Sequence, residues 1–142
     1  MVWFLSITSL YKQKQQTMEK AYYEQSFNGI VFTFSGTPSA EEFRNIALSG
    51  LDLLKSKGVT KILNNTSELE IVTIENQEWS QTVWFPMAQK AGLQYFAFVI
   101  PNNIFGEASA QQTNEKAEDE GDIQIQYFKT FDEAAAWLKQ CE

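Results

Sequence analysis

Two rhythms of apolar residues take turns along this chain. Ile30-Val31-Phe32-Thr33-Phe34 and Tyr95-Phe96-Ala97-Phe98-Val99-Ile100 are short, nearly continuous apolar runs rich in β-branched and aromatic residues. Such runs predict strands covered on both faces. Residues 21–25 form a partner for the first of them, joined through Ser26-Phe27-Asn28-Gly29. Asn-Gly is the strongest short hairpin signal, because both residues tolerate positive φ. Residues 59–64 give a third strand of the same kind. Residues 123–128 alternate Ile123, Ile125 and Tyr127 against Gln124 and Gln126, the pattern of an edge strand.

Between these runs the spacing changes to that of helices. Ser39-Ala40-Glu41-Glu42 reads as a reciprocal capping box. Behind it Phe43, Ile46, Ala47, Gly50, Leu51 and Leu54 recur every three or four residues, and Gly58 supplies the stop. A loop through Ser67 and Leu69 then leads to a second helix over 75–91. There Trp79, Val83, Met87 and Ala91 share the face expected to be buried, with Trp84 at its edge. Phe85 falls about 200° from Val83, at ~100° per residue, and so is expected to face away from the core. Pro86 has no N–H for the Thr82 carbonyl and predicts a kink. A third helix is expected over 104–120, its carboxylates Glu115, Glu118, Asp119 and Glu120 forming a solvated face. A last helix follows Thr130-Phe131-Asp132-Glu133, with Phe131, Ala134, Ala135 and Leu138 inward.

The order ββαβαβαβα predicts an α/β domain over 20–142: an N-terminal hairpin, then βα units, in a five-stranded, mostly parallel sheet with four helices. Residues 1–19 are expected to be a tail or a short extra strand. The expected core is Phe32, Phe34, Phe43, Ile46, Leu51, Leu54, Ile62, Trp79, Phe96, Phe98, Ile100, Ile125 and Leu138.

Composition narrows the chemistry. Among 142 residues, 18 are acidic and 11 basic, for a net charge of -7. A surface of that sign repels phosphate backbones and anionic membranes, so neither nucleic acid nor membrane is an expected partner. There is no histidine and one cysteine, Cys141. That removes every Ser-His or Cys-His pair and the usual transition-metal ligand sets. No Gly-rich phosphate loop and no hard-cation loop occurs. No metal, no cofactor and no enzymatic activity are therefore expected. Val2 to Leu10 is apolar but too short to span a bilayer and has no basic stretch before it. The cytoplasm is the expected compartment, and Met18 is an alternative start.

Several stretches resemble the SpoIIAA-like, STAS/Sec14-type family of small bacterial proteins. They are Phe34-Ser35-Gly36, Glu42-Phe43-Arg44, Asn64-Asn65, Glu75-Asn76-Gln77-Glu78-Trp79, Trp84-Phe85-Pro86, Ala91-Gly92-Leu93, Tyr127-Phe128, Glu133-Ala134 and Trp137-Leu138. The resemblance spans about residues 20–140 and implies the STAS-type α/β fold. Anti-sigma-factor antagonists of the STAS type are switched by phosphorylation of a serine at a helix start after the third strand. Thr66 and Ser67 fall in that region, but the Asp-Ser-Ser-Gly-like signature is lacking.

The residues singled out as a ligand or partner surface are Asn64, Asn65, Trp79, Trp84 and Phe85. The two asparagines come at the end of a parallel strand, where ligands of open α/β sheets collect, and asparagine there also serves turns by bonding its own backbone. The aromatics line a pocket or simply belong to the core. Glu75 and Glu78 read as helix-start charges. Two functions are expected from these features. The first is an interaction module that self-associates, as a homodimer through Phe85, or binds a protein partner. The alternative is a carrier of a small apolar molecule or lipid.

Overall fold

A computed structural model of the chain describes residues 20–102 and 122–142. Among them, five strands form one sheet in the order β1-β2-β3-β4-β5. β1 (Ala21–Glu24) and β2 (Gly29–Gly36) are the antiparallel hairpin, and Asn28 takes positive φ (56°) in its turn. β3 (Lys61–Leu69), β4 (Tyr95–Val99) and β5 (Gln124–Phe128) add to β2 in parallel. α1 (Ala40–Lys57) links β2 to β3. α2 (Ile74–Trp79), a π-helical turn (Ser80–Trp84) and α3 (Phe85–Lys90) together link β3 to β4. α4 (Phe131–Gln140) comes after β5. The mostly parallel five-stranded sheet is thus as expected, and the helix expected over 104–120 lies outside the described residues.

The strand period of two separates the core into two layers. Ile30, Ile62, Phe96 and Ile125 sit side by side across the sheet, and Phe32, Asn64 and Phe98 form the next row on the same face. That face packs under α1 and α3. Val31, Leu63, Ala97 and Val99 point the other way, onto Ala134, Ala135 and Leu138 of α4. Of the expected core, Trp79 and Ile100 are half-buried and the rest are buried.

α1 begins where Ser39 Oγ accepts from Glu42 N (3.1 Å) and ends at Gly58, whose φ of 63° suits a residue without Cβ. The capping box is not reciprocal as expected: the Glu42 carboxylate takes the Lys20 ammonium at 2.7 Å. Gly50 lets the helix settle directly on Phe32, since a Cβ there would lie 1.6 Å from the ring's Cε1.

Two expected elements differ. β3 does not end at Asn64 but runs to Leu69, through the stretch expected to be a loop. Thr33 pairs with Asn65 and Ser35 with Glu68, so β3 spends one more residue than β2 between those pairs. This bulge flips the alternation. Ile62 and Leu69 therefore face the same layer although their spacing is odd. The second difference is the phase of the helix over 74–90. Phe85 N–H bonds the Ser80 carbonyl, five residues back instead of four. The wider turn sets back every side chain beyond it. Asn76, Ser80, Trp84 and Ala88, spaced by four, face inward with Phe85. Val83 and Met87, expected inward, are 38% and 36% exposed, and Phe85, expected outward, is only 7% exposed. Pro86 enters at the start of α3, where its missing donor is absorbed by the wide turn.

Candidate functional site

Aromatic rings dominate the layer beneath α1 and α3, and rings tile space poorly. Phe34 stacks on Phe43 of α1 at 4.9 Å and meets Phe32 edge-on at 6.1 Å. Trp84 stands edge-on to Phe32 (5.7 Å), Phe85 (5.0 Å) and Phe96 (6.0 Å). Between these rings lies a cavity of about 50 Å³, open on one side. Its floor is the sheet, with Phe32, Phe34, Asn64, Thr66, Phe96 and Phe98. Its walls are Phe43 and Ala47 of α1, then Ser80, Trp84 and Phe85, with Leu69 and Val72 closing the end. The site occupies the C-terminal part of β2, β3 and β4, the usual ligand position in parallel sheets.

Polar groups in the cavity wall are few, and most are already engaged. The Trp84 indole Nε1–H donates to the Ala47 carbonyl at 2.9 Å, pinning the π-helical turn to α1. Thr66 Oγ1–H donates to the Val99 carbonyl at 2.7 Å, across β3 to β4. Ser80 Oγ–H donates to the Asn76 carbonyl at 2.9 Å, one turn back. Asn64 is different. Its Oδ1 is shut away from solvent and has no hydrogen-bond partner among the described residues. An unsatisfied buried acceptor costs about 1–3 kcal/mol, so it marks a place where the fold is not self-sufficient.

The five residues singled out from the sequence part company here. Asn64, Trp84 and Phe85 come together around the cavity. Asn65 serves the bulge: its Oδ1 accepts from Ser67 N (3.2 Å) and Ser67 Oγ (2.9 Å). Trp79 is set apart, with the Arg44 guanidinium 5.4 Å above its ring and Phe43 against its edge. Arg44 Nη2 also reaches Glu75 at 3.5 Å. Thr66 is buried within β3 and Ser67 bonds Asn65, so neither hydroxyl stands at a helix start. Thr66 and Ser80 are not among the residues expected in a site. The β3 alternation Ile62-Asn64-Thr66 holds the signal for Thr66; the π-helical turn conceals Ser80.

Cys141 does not line this site; its Sγ lies 3.3 Å from the Trp137 carbonyl. Burial pushes its thiol up from the ordinary value, against the opposing pull of Lys61. Among the described residues no three His, Cys, Asp or Glu side chains are grouped to hold a metal. No helix among them is long and apolar enough to cross a membrane.

This arrangement of strands and helices defines the class: the chain has a SpoIIAA-like α/β fold. It is similar in structure to an uncharacterised protein of the DUF3478 family with a SpoIIAA-like fold from Shewanella loihica PV-4. The TM-score is 0.53 and the identity 15%, over 83% of this chain and 90% of that one. No family model matches the sequence, and no curated protein matches it.

Proposed function

We propose that this protein is a non-enzymatic binding domain that holds a small apolar molecule in the cavity between β2, β3, β4, α1 and the π-helical turn. The observation that carries this reading is the row Phe32-Asn64-Phe98: a polar side chain, its oxygen unpartnered, set among rings that line an open cavity. The cavity is small for a lipid, since sites for drug-sized ligands span about 300–1,000 Å³. The small-molecule side of the carrier reading is therefore the one supported. Titration with toluene, an uncharged ring without polar atoms, tests it. The expected result is a saturable NMR shift at the Trp84 Nε1–H and the Ala47 and Val72 resonances. Shifts that never saturate, or that fall elsewhere, for toluene and for its hydroxyl-bearing counterpart phenol alike would sink the reading.

A second reading, the interaction module, keeps one observation in its favour, and the SpoIIAA-like fold is compatible with it. Val83 and Met87 lie exposed on the outer side of the helical segment, and Ile71 (41%) and Ile74 (74%) are exposed near its start. Exposed apolar surface of this kind marks contact sites when it is contiguous. Phe85 no longer supplies the contact, because it is inside. Sedimentation equilibrium of the wild type and Val83→Ser decides this reading. A mass above 16.3 kDa that falls in the variant supports it; 16.3 kDa at every concentration removes self-association.

A further inference from the structure

We infer that the molecule held in the cavity is a neutral one bearing a hydroxyl, and that Asn64 is the residue that selects it. This rests on the cavity being a binding site. The chemistry of the wall restricts the occupant from three directions. First, among the described residues no charged side chain lines the cavity. A carboxylate or ammonium entering it would lose hydration with no counter-charge to meet it, which is strongly unfavourable. Second, apart from the Asn64 amide Nδ2–H2, the donors in the wall are committed. Thr66 O–H, Ser80 O–H and Trp84 N–H each hold a backbone carbonyl that fixes a strand or a helical turn. The two hydroxyl oxygens can still accept, but donating to a ligand would break those bonds. Third, Asn64 Oδ1 is an acceptor with no partner among the described residues.

The wall therefore leaves one unpaired amide, that of Asn64, to be met by a molecule that is otherwise apolar. A hydroxyl meets that demand, and as donor and acceptor in one it answers whichever end of the Asn64 amide it meets. The last torsion of an asparagine side chain is broad and soft. Rotation about it exchanges the buried Oδ1 with Nδ2 and turns the oxygen towards the cavity without moving β3. Size adds a restriction. A cavity of about 50 Å³ is well below the roughly 150 Å³ that encloses benzene in an engineered apolar cavity. The site thus takes the hydroxyl-bearing edge of a single ring or a short chain, and the rest of the molecule lies in the open mouth. Alcohols and phenols fit this description; fatty acids do not.

Three probes of nearly one shape separate the possibilities: phenol, toluene and benzoate, each titrated by NMR into the full chain and into Asn64→Leu. A donor that reaches an otherwise unpaired acceptor adds about one hydrogen bond, worth roughly tenfold in affinity. Phenol is expected to bind wild type about tenfold more tightly than toluene, and benzoate not at all. In Asn64→Leu the phenol preference should vanish while toluene still binds. Asn64→Ala is the second variant, should the leucine crowd the cavity; there too the preference should be lost. Equal binding of phenol and toluene to wild type would overturn the hydroxyl assignment and leave the binding reading standing. A phenol preference that survives both substitutions would overturn the role of Asn64. Saturable benzoate binding at the same resonances would overturn the neutral class. Failure of all three probes to shift those resonances would overturn the binding reading beneath.

Discussion

The two faces of the sheet are built from alternate residues of the same strands, yet they are different materials. Towards α4 the strands present Val31, Leu63, Ala97 and Val99, and the helix answers with Ala134, Ala135 and Leu138. Phe27 is the buried ring of this cluster, and Tyr22, Tyr95, Phe128, Phe131 and Trp137 pack against it only partly buried, so its centre is small and branched side chains, which close up on one another at high density. Towards α1 and α3 the strands present Phe32, Phe34, Phe96 and Phe98, and the helices answer with Phe43, Trp84 and Phe85. Rings meet edge to face at 5–6 Å, an arrangement favourable in itself. It leaves the spaces that smaller side chains would have filled. One sheet thus carries a closed side, which holds the domain together, and an open side, where it can receive something.

The comparison breaks most decisively at its closed side. Leu138 on α4 is fully buried there, as is Leu54 of α1 on the other side of the sheet, away from the cavity. Truncating either to alanine should cost about 2–5 kcal/mol in denaturant melts. A loss for Leu138→Ala within ~0.5 kcal/mol, the range of surface changes, would show that the α4 side is not close-packed.

On the ring side the tightest point is Gly50, whose added Cβ would run into Phe32. Gly50→Ala should destabilise by about 1–3 kcal/mol, even against the ~1 kcal/mol that alanine gains as a helix former. A more stable variant would mean that Phe32 can move into the cavity and that the ring side is loose throughout.

A smaller effect of opposite sign is expected at the cavity itself. Asn64→Leu removes the unpartnered acceptor and should raise stability by about 1 kcal/mol, at the low end of what burying such a group costs. A fall in stability would show that the Asn64 amide finds a partner in solution. The same substitution is expected to erase the phenol preference, so stability and recognition should move in opposite directions at one residue.

The smallest effect concerns the end of α4. Because burial holds the Cys141 thiol above its ordinary value, the reactive thiolate forms only at higher pH than in free cysteine. Alkylation by iodoacetamide should be slower than for free cysteine at pH 8, and its rate should still be rising where that of free cysteine has levelled off. Urea should abolish the difference. An equal rate in the folded protein would show the C-terminal turn to be open.

Much of the fold is legible in the sequence because local signals and burial agree. The Asn-Gly turn, the Ser39 and Thr130 caps and the Gly58 stop each act within a few residues, and each is found where the pattern puts it. The two departures have one cause in common: an extra residue. The bulge in β3 and the wide turn at Ser80–Trp84 each shift the phase of the residues beyond them. A periodicity read on an ideal strand or helix carries no record of such a shift. That is why the pattern puts Leu69 in a loop, Val83 and Met87 in the core, and Phe85 at the surface. The candidate site is legible in part. Asn64, Trp84 and Phe85 stand at the cavity, whereas Asn65 and Trp79 belong to the bulge and to the Arg44 contact. Residue type alone does not separate two adjacent asparagines; their opposite faces of β3 do.

The sheet's neighbour order has a consequence for how the molecule comes into being. Its strands lie side by side in the order in which they leave the ribosome. No strand has to be threaded between two that are already paired, and each new one docks on the free edge left by its predecessor. The hairpin of β1 and β2, closed by a four-residue turn, needs no distant partner to begin. Growth from it proceeds one crossover at a time, so each step closes a loop of modest length and modest entropic cost. Beside the outer edge of β1, the nascent chain exposes one growing edge at any moment, which limits the surface open to mispairing during synthesis.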